Sequence, residues 1–131
     1  IQAIPSGAVI VDKHLSIVEC NKNFAKLMGR EIEEMYDDLP GLEGADLSKI
    51  TDLSRFFADV LDKNGPDVIE RDAKDNNKIF HITVFSIEKE GIAGAVLEDV
   101  TVPQVRRNRI MSQAKKVIDK NLSVFITVNF F

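Results

Sequence analysis

The stretch GAVIVDKHLSIVECN, residues 7–21, decides the fold of this chain. Residues 7–12 form one apolar run and residues 16–20 a second, with a short polar turn between them, which is typical of a β-hairpin. Asn21 follows, and the apolar residues after it are spaced as on a short helix that Gly29 ends. The stretch therefore predicts two strands and then a helix that Asn21 caps.

Length and composition indicate one ordinary globular domain. The chain has 131 residues, of which 44% are hydrophobic and 29% charged, and this is enough to build a single core. Its apolar runs are too short to span a bilayer, and its one cysteine, Cys20, cannot form an internal disulfide. We therefore expect a cytoplasmic protein without a membrane partner.

Charge is distributed unevenly along the chain. Residues 103–122 carry six basic side chains and one acidic one, whereas the rest of the chain carries 11 basic and 20 acidic side chains. A basic helix can bind nucleic acid, but this segment also has an apolar stripe, which favours a signalling or linker helix. We therefore expect no nucleic-acid partner.

The remaining pattern predicts helices followed by three more strands. Apolar residues at helical spacing over residues 53–61 predict a helix with one buried face. Strand-like runs follow at 67–72, 78–87 and 92–100, and then a C-terminal helix at 103–122. This order predicts an α+β domain, with a five-stranded antiparallel sheet, short helices on one face and a C-terminal helix.

The chain divides into three parts. Residues 1–102 are expected to form the domain, and residues 103–122 a signalling or linker helix. Residues 123–131 form a tail that has no charge and a strong tendency to form β-structure. The tail is either a strand that pairs with a partner or a stretch foreign to the domain, and the sequence leaves both open.

Three motifs, in this order and at this spacing, resemble those of PAS domains, which are small sensor or docking modules. The first is the opening hairpin with Asn21 at the helix cap. The second is the hairpin at 71–80, with Asn76 where glycine is usual in the family. The third is the segment 94–101, which is similar to the closing D-[IV]-T of the fold.

The resemblance implies a PAS fold over residues 3–102 and a role for three polar residues. Asn21 caps the first helix, while Asp99 and Thr101 lie at the exit from the last strand and orient the outgoing helix. A further segment, residues 39–47, resembles the PAS domains of iron–sulfur proteins related to iron-only hydrogenases. It implies that an iron–sulfur domain, or another output domain, is attached in the parent chain.

Side chains of the strand at 78–87 fall into two sets, because they alternate between the faces of the sheet. By resemblance to flavin-binding PAS domains, one set faces a small-molecule pocket together with residues of the helices and of the last strand. The pocket candidates are Phe24, Phe57, Ile79, His81, Thr83, Phe85 and Leu97. Such large side chains either line a ligand cavity or fill it as a packed core.

The cofactors of the family are not expected in this chain. The flavin-attacking cysteine of light-sensing PAS domains lies after the capped helix, and residues 30–62 contain no cysteine. Leu97 also stands where that branch has an amide, and residues 21–62 contain no histidine that would bind haem. His81 is thus either a hydrogen-bonding group of the pocket or a histidine at the edge of the core.

The other set on this strand predicts an interface between two copies of the chain. It consists of Phe80, Ile82 and Val84, which would form an exposed apolar patch if that face of the sheet were bare. A second copy would cover this patch, so we expect a homodimer. Met111 and Ile118, on the apolar stripe of the predicted C-terminal helix, complete the candidate interface.

Sequence motifs for catalysis are absent, so we do not expect an enzyme. The chain has no Gly-rich phosphate loop, no metal-binding spacing of His or Cys and no nucleophile elbow. Two functions remain open. The first is a sensory or regulatory module, in which a ligand or redox signal biases the terminal helix and an attached output domain. The second is a dimerisation and docking module without a ligand.

Overall fold

A five-stranded antiparallel sheet, with short helices between its second and third strands, makes up the described part of the chain. The computed structural model describes residues 6–100. The strands are β1 (Gly7–Asp12), β2 (Ile17–Cys20), β3 (Val68–Asp75), β4 (Lys78–Glu88) and β5 (Ile92–Asp99). The helices are α1 (Lys22–Leu27), α2 (Arg30–Asp38), α3 (Leu47–Ile50) and α4 (Phe57–Leu61), with 3-10 helices at Pro40–Leu42 and Asp52–Phe56.

The strand order places the last strand in the middle of the sheet. Neighbouring strands follow the order β2-β1-β5-β4-β3, and β1 pairs with β5 so that Gly7 lies opposite Leu97. The predicted α+β arrangement of five antiparallel strands and short helices is confirmed. Within residues 6–100 no helix is both long and apolar enough to cross a membrane. The predicted helix at 103–122 and the tail at 123–131 lie outside the described residues.

The β3–β4 hairpin turns through only two residues. Asn76 and Asn77 have positive φ angles of 51° and 66°, and Asp75 and Lys78 pair on either side of them. Positive φ at both central residues is the mark of a type I′ turn, whose twist matches that of the strands, and asparagine tolerates this conformation. Because the turn is so short, β3 continues to Asp75 instead of ending at Asp72 as predicted.

The helix predicted over residues 53–61 is divided into a 3-10 helix and α4. Thr51 caps the first part, because its hydroxyl oxygen accepts a hydrogen bond from the Leu53 amide at 3.1 Å. The same hydroxyl donates to the Asp75 carboxylate at 2.8 Å, which joins this helix to the end of the β3–β4 hairpin. The buried face contains Leu53, Phe57 and Val60, as predicted.

The sheet has an inner face, which packs against the helices, and an outer face. Residues of the inner face form one buried cluster with helix residues such as Phe24, Phe57 and Val60. The strands contribute Val9, Val11, Ile17, Cys20, Ile69, Ala73, Phe80, Ile82, Val84, Ala93, Ala95 and Leu97. This cluster is the hydrophobic core of the domain, and its burial is the main favourable contribution to folding.

The two faces of β4 are the reverse of those predicted. The residues assigned to an exposed dimer interface lie in the core, at most 1% exposed: they are Phe80, Ile82 and Val84. The β4 residues assigned to a pocket beneath the helices lie on the outer face, since side chains alternate along a strand: they are Ile79, His81, Thr83 and Phe85. The predicted assignment of these two sets was therefore wrong.

Pairing with β3 gives the physical reason for this reversal. Ile69 lies opposite Val84, and Ala73 lies opposite Phe80, so the apolar side chains of both strands share one face. Glu70 and Asp72 of β3 then point to the other face. Placing two carboxylates beneath the helices would cost far more than placing apolar side chains there, so the face that carries Phe80 is the inner one.

The outer face is apolar at its centre. Thr83, Phe85 and Val96 are at most 3% exposed, and only residues at the margin, such as Ile79 at 48%, reach solvent to a large extent. Gly94 of β5 allows the Phe85 ring to come close, because a Cβ atom at Gly94 would lie 2.9 Å from two carbons of that ring. The centre of this face is therefore buried, with the Phe85 ring lying against Gly94.

Candidate functional site

Asn21 joins the start of β1 to the start of α1. Its Oδ1 atom accepts hydrogen bonds from the amides of Phe24 (2.9 Å) and Ala8 (3.0 Å), and its Nδ2 atom donates to the Ser6 carbonyl (3.2 Å). Gly7 permits this close approach, because a Cβ atom there would lie 2.8 Å from the Phe24 Cα atom. Asn21 is thus the N-cap of α1, as the sequence predicted, and it also fixes the position of β1.

The predicted pocket residues do not come together. Phe24, Phe57 and Leu97 lie in the core beneath the helices, each 1% exposed. The β4 candidates lie on the opposite side of the sheet, so no single cavity is lined by all seven residues. Ligand binding in the core remains a prediction for Phe24, Phe57 and Leu97.

His81 lies among acidic side chains on the outer face. Its Nδ1 atom is 2.5 Å from the Oδ1 atom of Asp72, and its Nε2 atom is 3.9 Å from the Oε2 atom of Glu70. A carboxylate can only accept, so Nδ1 carries the hydrogen of the shorter contact. Asp72 and Glu98 are the residues opposite His81 on the two neighbouring strands. We call Glu70, Asp72, His81 and Glu98 the acidic row.

The acidic row contrasts with the apolar centre of the outer face. Glu98 is 1% exposed, whereas the side chain of Asp72 is 59% exposed, so the row extends from the buried centre of the sheet to its surface. Carboxylates in such a row favour a positively charged partner. Among residues 6–100, no group of three or more His, Cys, Asp or Glu side chains is arranged to hold a metal ion.

The last strand ends beside the acidic row. Asp99 is the final residue of β5 and lies opposite Phe80, and the Val100 amide donates to the Ile79 carbonyl at 2.9 Å. Asp99 is thus at the strand exit, and its proposed role in orienting the next segment remains a prediction. Thr101, Met111 and Ile118 lie outside the described residues.

Cys20 is buried beside a surface groove of about 260 Å³. The groove is lined by Val18, Glu19, Cys20, Tyr36, Pro40, Gly41 and Glu43. Burial, with a smaller contribution from the charge of Glu19, raises the pKa of the Cys20 thiol to about 12. The thiolate is the reactive form of cysteine, so this thiol is poorly suited to redox sensing at neutral pH.

We expect Cys20 to resist alkylation in the folded protein. At pH 8 iodoacetamide should label Cys20 quickly in denaturant and only very slowly without it, as measured by mass spectrometry. Because the thiol pKa rises on folding from 9.0 to about 12, unfolding releases a proton above pH 9. The contribution of Cys20 to stability is therefore complete below pH 9 and is lost as the pH rises towards 12.

The matched variant for this prediction is Cys20→Ala. Its melting temperature should fall less steeply above pH 9 than that of the parent protein, because it has no thiol to titrate. Equal labelling rates with and without denaturant, or equal pH slopes for the two proteins, would contradict the high pKa.

Sequence reasoning missed the acidic partners of His81. The signal that identifies them is the two-residue turn at Asn76 and Asn77. Once Asp75 is paired with Lys78, counting outward along both strands places Asp72 opposite His81. Glu98 cannot be found in this way, because its pairing depends on the turn between β4 and β5, where the register shifts.

Comparison with known proteins shows the fold. No protein-family model matches the sequence, and no curated protein matches it. The chain is similar in structure to a domain of an HTR-like protein from Haloarcula marismortui, with a TM-score of 0.56 and 14% identity over 74% of this chain and 99% of that one. It was also matched to the PAS domain of Bordetella pertussis BvgS, with a TM-score of 0.43 and 13% identity over 86% of each chain.

The PAS-like fold expected from the sequence is confirmed as a fold by the order of its five strands and by the similarity to the HTR-like protein domain. Similarity at this level of identity does not extend to a ligand, a partner or an output domain. The predicted iron–sulfur parent chain has no support from either structure.

Proposed function

We propose that this chain is a sensory or regulatory module, without catalytic activity, that passes a conformational bias from its core to an attached output domain. The proposal builds on the PAS-like fold, and the position of β5 is the observation that carries it. On its inner face Leu97 packs in the same cluster as Phe24 and Phe57. On its outer face the next residue, Glu98, belongs to the acidic row. One central strand therefore contacts both the candidate ligand site and the acidic row on the outer face.

A ligand in the core would act on the outer face through this strand. The core is close-packed, so a group that enters it must displace side chains of the inner face and with them the strand that carries them. The segment that follows β5, residues 103–122, has six basic side chains and one acidic one, opposite in sign to the acidic row. We infer that a conformational change at the outer face is passed to this segment. The size of the response is limited by the difference in ligand affinity between the two states.

The chemistry of the core limits the kind of ligand. The cluster around Phe24, Phe57 and Leu97 is apolar, so the ligand would be a small and mostly apolar molecule. A homodimer, if it forms, cannot use Phe80, Ile82 and Val84, which are buried. Among the described residues, Val68 and Ile79 at the margin of the outer face, 36% and 48% exposed, are apolar side chains that such an interface could use.

The test is a search for a bound small molecule, followed by a measurement of its effect on residues 103–122. The purified 131-residue chain is examined by native mass spectrometry and an absorption scan, and then screened with a library of small apolar metabolites by thermal shift. A ligand that binds only the native state raises the melting temperature. We expect such a ligand also to change the hydrogen-exchange rates of amides in residues 103–122.

Two variants locate the binding site. Leu97→Phe, which adds volume to the core, should weaken the thermal shift, whereas Ile79→Ala, at the margin of the outer face, should leave it unchanged. A ligand that binds without altering exchange in residues 103–122 would refute the transmission of a signal. A colourless dimer without any ligand would favour the docking module instead.

A further inference from the structure

Lys89 lies in the turn between β4 and β5, and its ammonium group is surrounded by oxygen atoms of one distant segment. The nearest oxygens are the main-chain carbonyls of Val60 (3.2 Å), Asp62 (3.3 Å), Gly65 (2.9 Å) and Pro66 (2.9 Å). We call these four oxygens the carbonyl ring. The Asp67 carboxylate, at 3.3 Å, adds a fifth oxygen with a negative charge.

The backbone that forms the carbonyl ring is held by contacts that do not involve Lys89. The Asp62 amide donates to the Ala58 carbonyl, and the Gly65 amide donates to the Asp62 carbonyl, both at 3.0 Å. Gly65 is required for this tight turn, because a Cβ atom there would overlap the carbonyl oxygen of Asp59. The ring is therefore largely preformed and does not depend on the lysine for its shape.

Five oxygen acceptors are more than the hydrogen-bond donors of one ammonium group. An ammonium group has three N–H donors and no acceptor, and it behaves as a compact point charge. Rings of main-chain carbonyls also bind potassium ions in channel filters, where they replace the hydration shell of the ion. Without a positive charge between them, the carbonyl dipoles and the Asp67 carboxylate would repel each other.

We propose that the carbonyl ring and the Asp67 carboxylate form a binding site for a monovalent cation of the ammonium class, and that Lys89 fills this site from within the chain. When the amine of Lys89 is removed, the site remains and takes a primary ammonium ion from solution. The site lies apart from the acidic row, and the proposal does not depend on the proposed sensory function.

The experiment uses the full chain with the substitution Lys89→Ala. This change removes three methylene groups and the amine, which together correspond to n-propylammonium. We expect the melting temperature to fall by about 5–10 °C. At constant ionic strength, n-propylammonium chloride should restore most of the loss. Tetramethylammonium chloride, which has no N–H donor, should restore little.

Lys63→Ala is the matched control. Lys63 is exposed and lies in the same segment, so its replacement removes the same charge and side chain without touching the carbonyl ring. Its melting temperature should stay within about 2 °C of the parent and should not respond to n-propylammonium. A Lys89→Ala protein as stable as Lys63→Ala, or one restored equally by both cations, would overturn the proposal.

A second measurement on the unaltered protein covers the case in which Lys89→Ala does not fold. Limited acetylation with acetic anhydride, read by mass spectrometry, compares Lys89 with Lys63. Because its amine must first leave the carbonyl ring, Lys89 should react at least about tenfold more slowly. Equal rates at the two lysines would refute the proposal.

Discussion

Phe80→Lys should prevent folding, whereas its neighbour Ile79→Lys should leave the protein folded. Phe80 is 1% exposed in the core, and Ile79 is 48% exposed at the margin of the outer face. A charged side chain in an apolar core without a partner costs about as much as the whole stability of a small domain, which is about 5–15 kcal/mol. Circular dichroism should show no cooperative melting transition for Phe80→Lys.

The two positions make a matched pair, since they are adjacent on β4 and differ mainly in the face to which they point. Ile79→Lys should melt within about 3 °C of the parent, because surface substitutions seldom change stability much. Alanine at the same positions provides a milder comparison: Phe80→Ala should lose about 3–5 kcal/mol of unfolding free energy, and Ile79→Ala less than about 1 kcal/mol. A larger loss at Ile79 than at Phe80 would show that the faces of β4 are assigned the wrong way round.

Asn21→Ala should lower the free energy of unfolding by about 2–4 kcal/mol. The substitution removes three hydrogen bonds. Two are accepted by Asn21 Oδ1 from the amides of Phe24 and Ala8, and the third is donated by Asn21 Nδ2 to the Ser6 carbonyl. It also leaves the Ala8 and Phe24 amides without their acceptor in a partly buried place. Urea denaturation measures the loss as a lower midpoint with an unchanged slope.

Two variants separate the roles of the Asn21 side chain. Asn21→Ser keeps an acceptor for the start of α1, but its shorter side chain cannot also reach the Ser6 carbonyl. The loss of unfolding free energy should therefore be intermediate. Asn23→Ala, on the same helix, should cost less than about 1 kcal/mol, because Asn23 makes none of these bonds. Equal losses for Asn21→Ala and Asn23→Ala would show that the junction does not depend on Asn21.

The features that could be predicted from the sequence are those fixed by near neighbours. A cap such as Asn21 and a turn such as Asn76-Asn77 depend on the residues beside them, so composition and spacing reveal them. The five strands and their antiparallel arrangement followed from alternation, from the turns and from the family resemblance. The 3-10 helix at Asp52–Phe56 was not foreseen, since apolar spacing does not distinguish it from the first turn of an α-helix.

The buried face of β4 could not be read from β4 alone. Both of its faces carry large apolar side chains, with Phe80 on one and Phe85 on the other, so alternation separates two sets without showing which is inside. The register with β3 resolves this, because Ile69 and Ala73 must face the same way as Phe80. Combining the two-residue turn with the charges of β3 would have given the correct answer.

Lys89 illustrates a second limit of sequence reasoning. Its partners are main-chain oxygens of a segment more than twenty residues earlier, and main-chain atoms leave no signature in the sequence. Only the conformation of residues 60–67 brings these oxygens together. The one sequence feature that marks the segment, Gly65-Pro66, predicts the end of a helix but not a cation site.

The central place of β5 also constrains how the chain folds as it is synthesised. Gly7 pairs with Leu97, so β1 can pair with β2 early, but its other edge stays unpaired until β5 has been synthesised. Until then the apolar run of β1 is an open edge that can pair with other chains. Contacts between such distant segments slow folding. A nascent chain that stops before residue 92 would therefore expose unpaired strand edges and apolar side chains that chaperones bind. It would not form a smaller version of the domain.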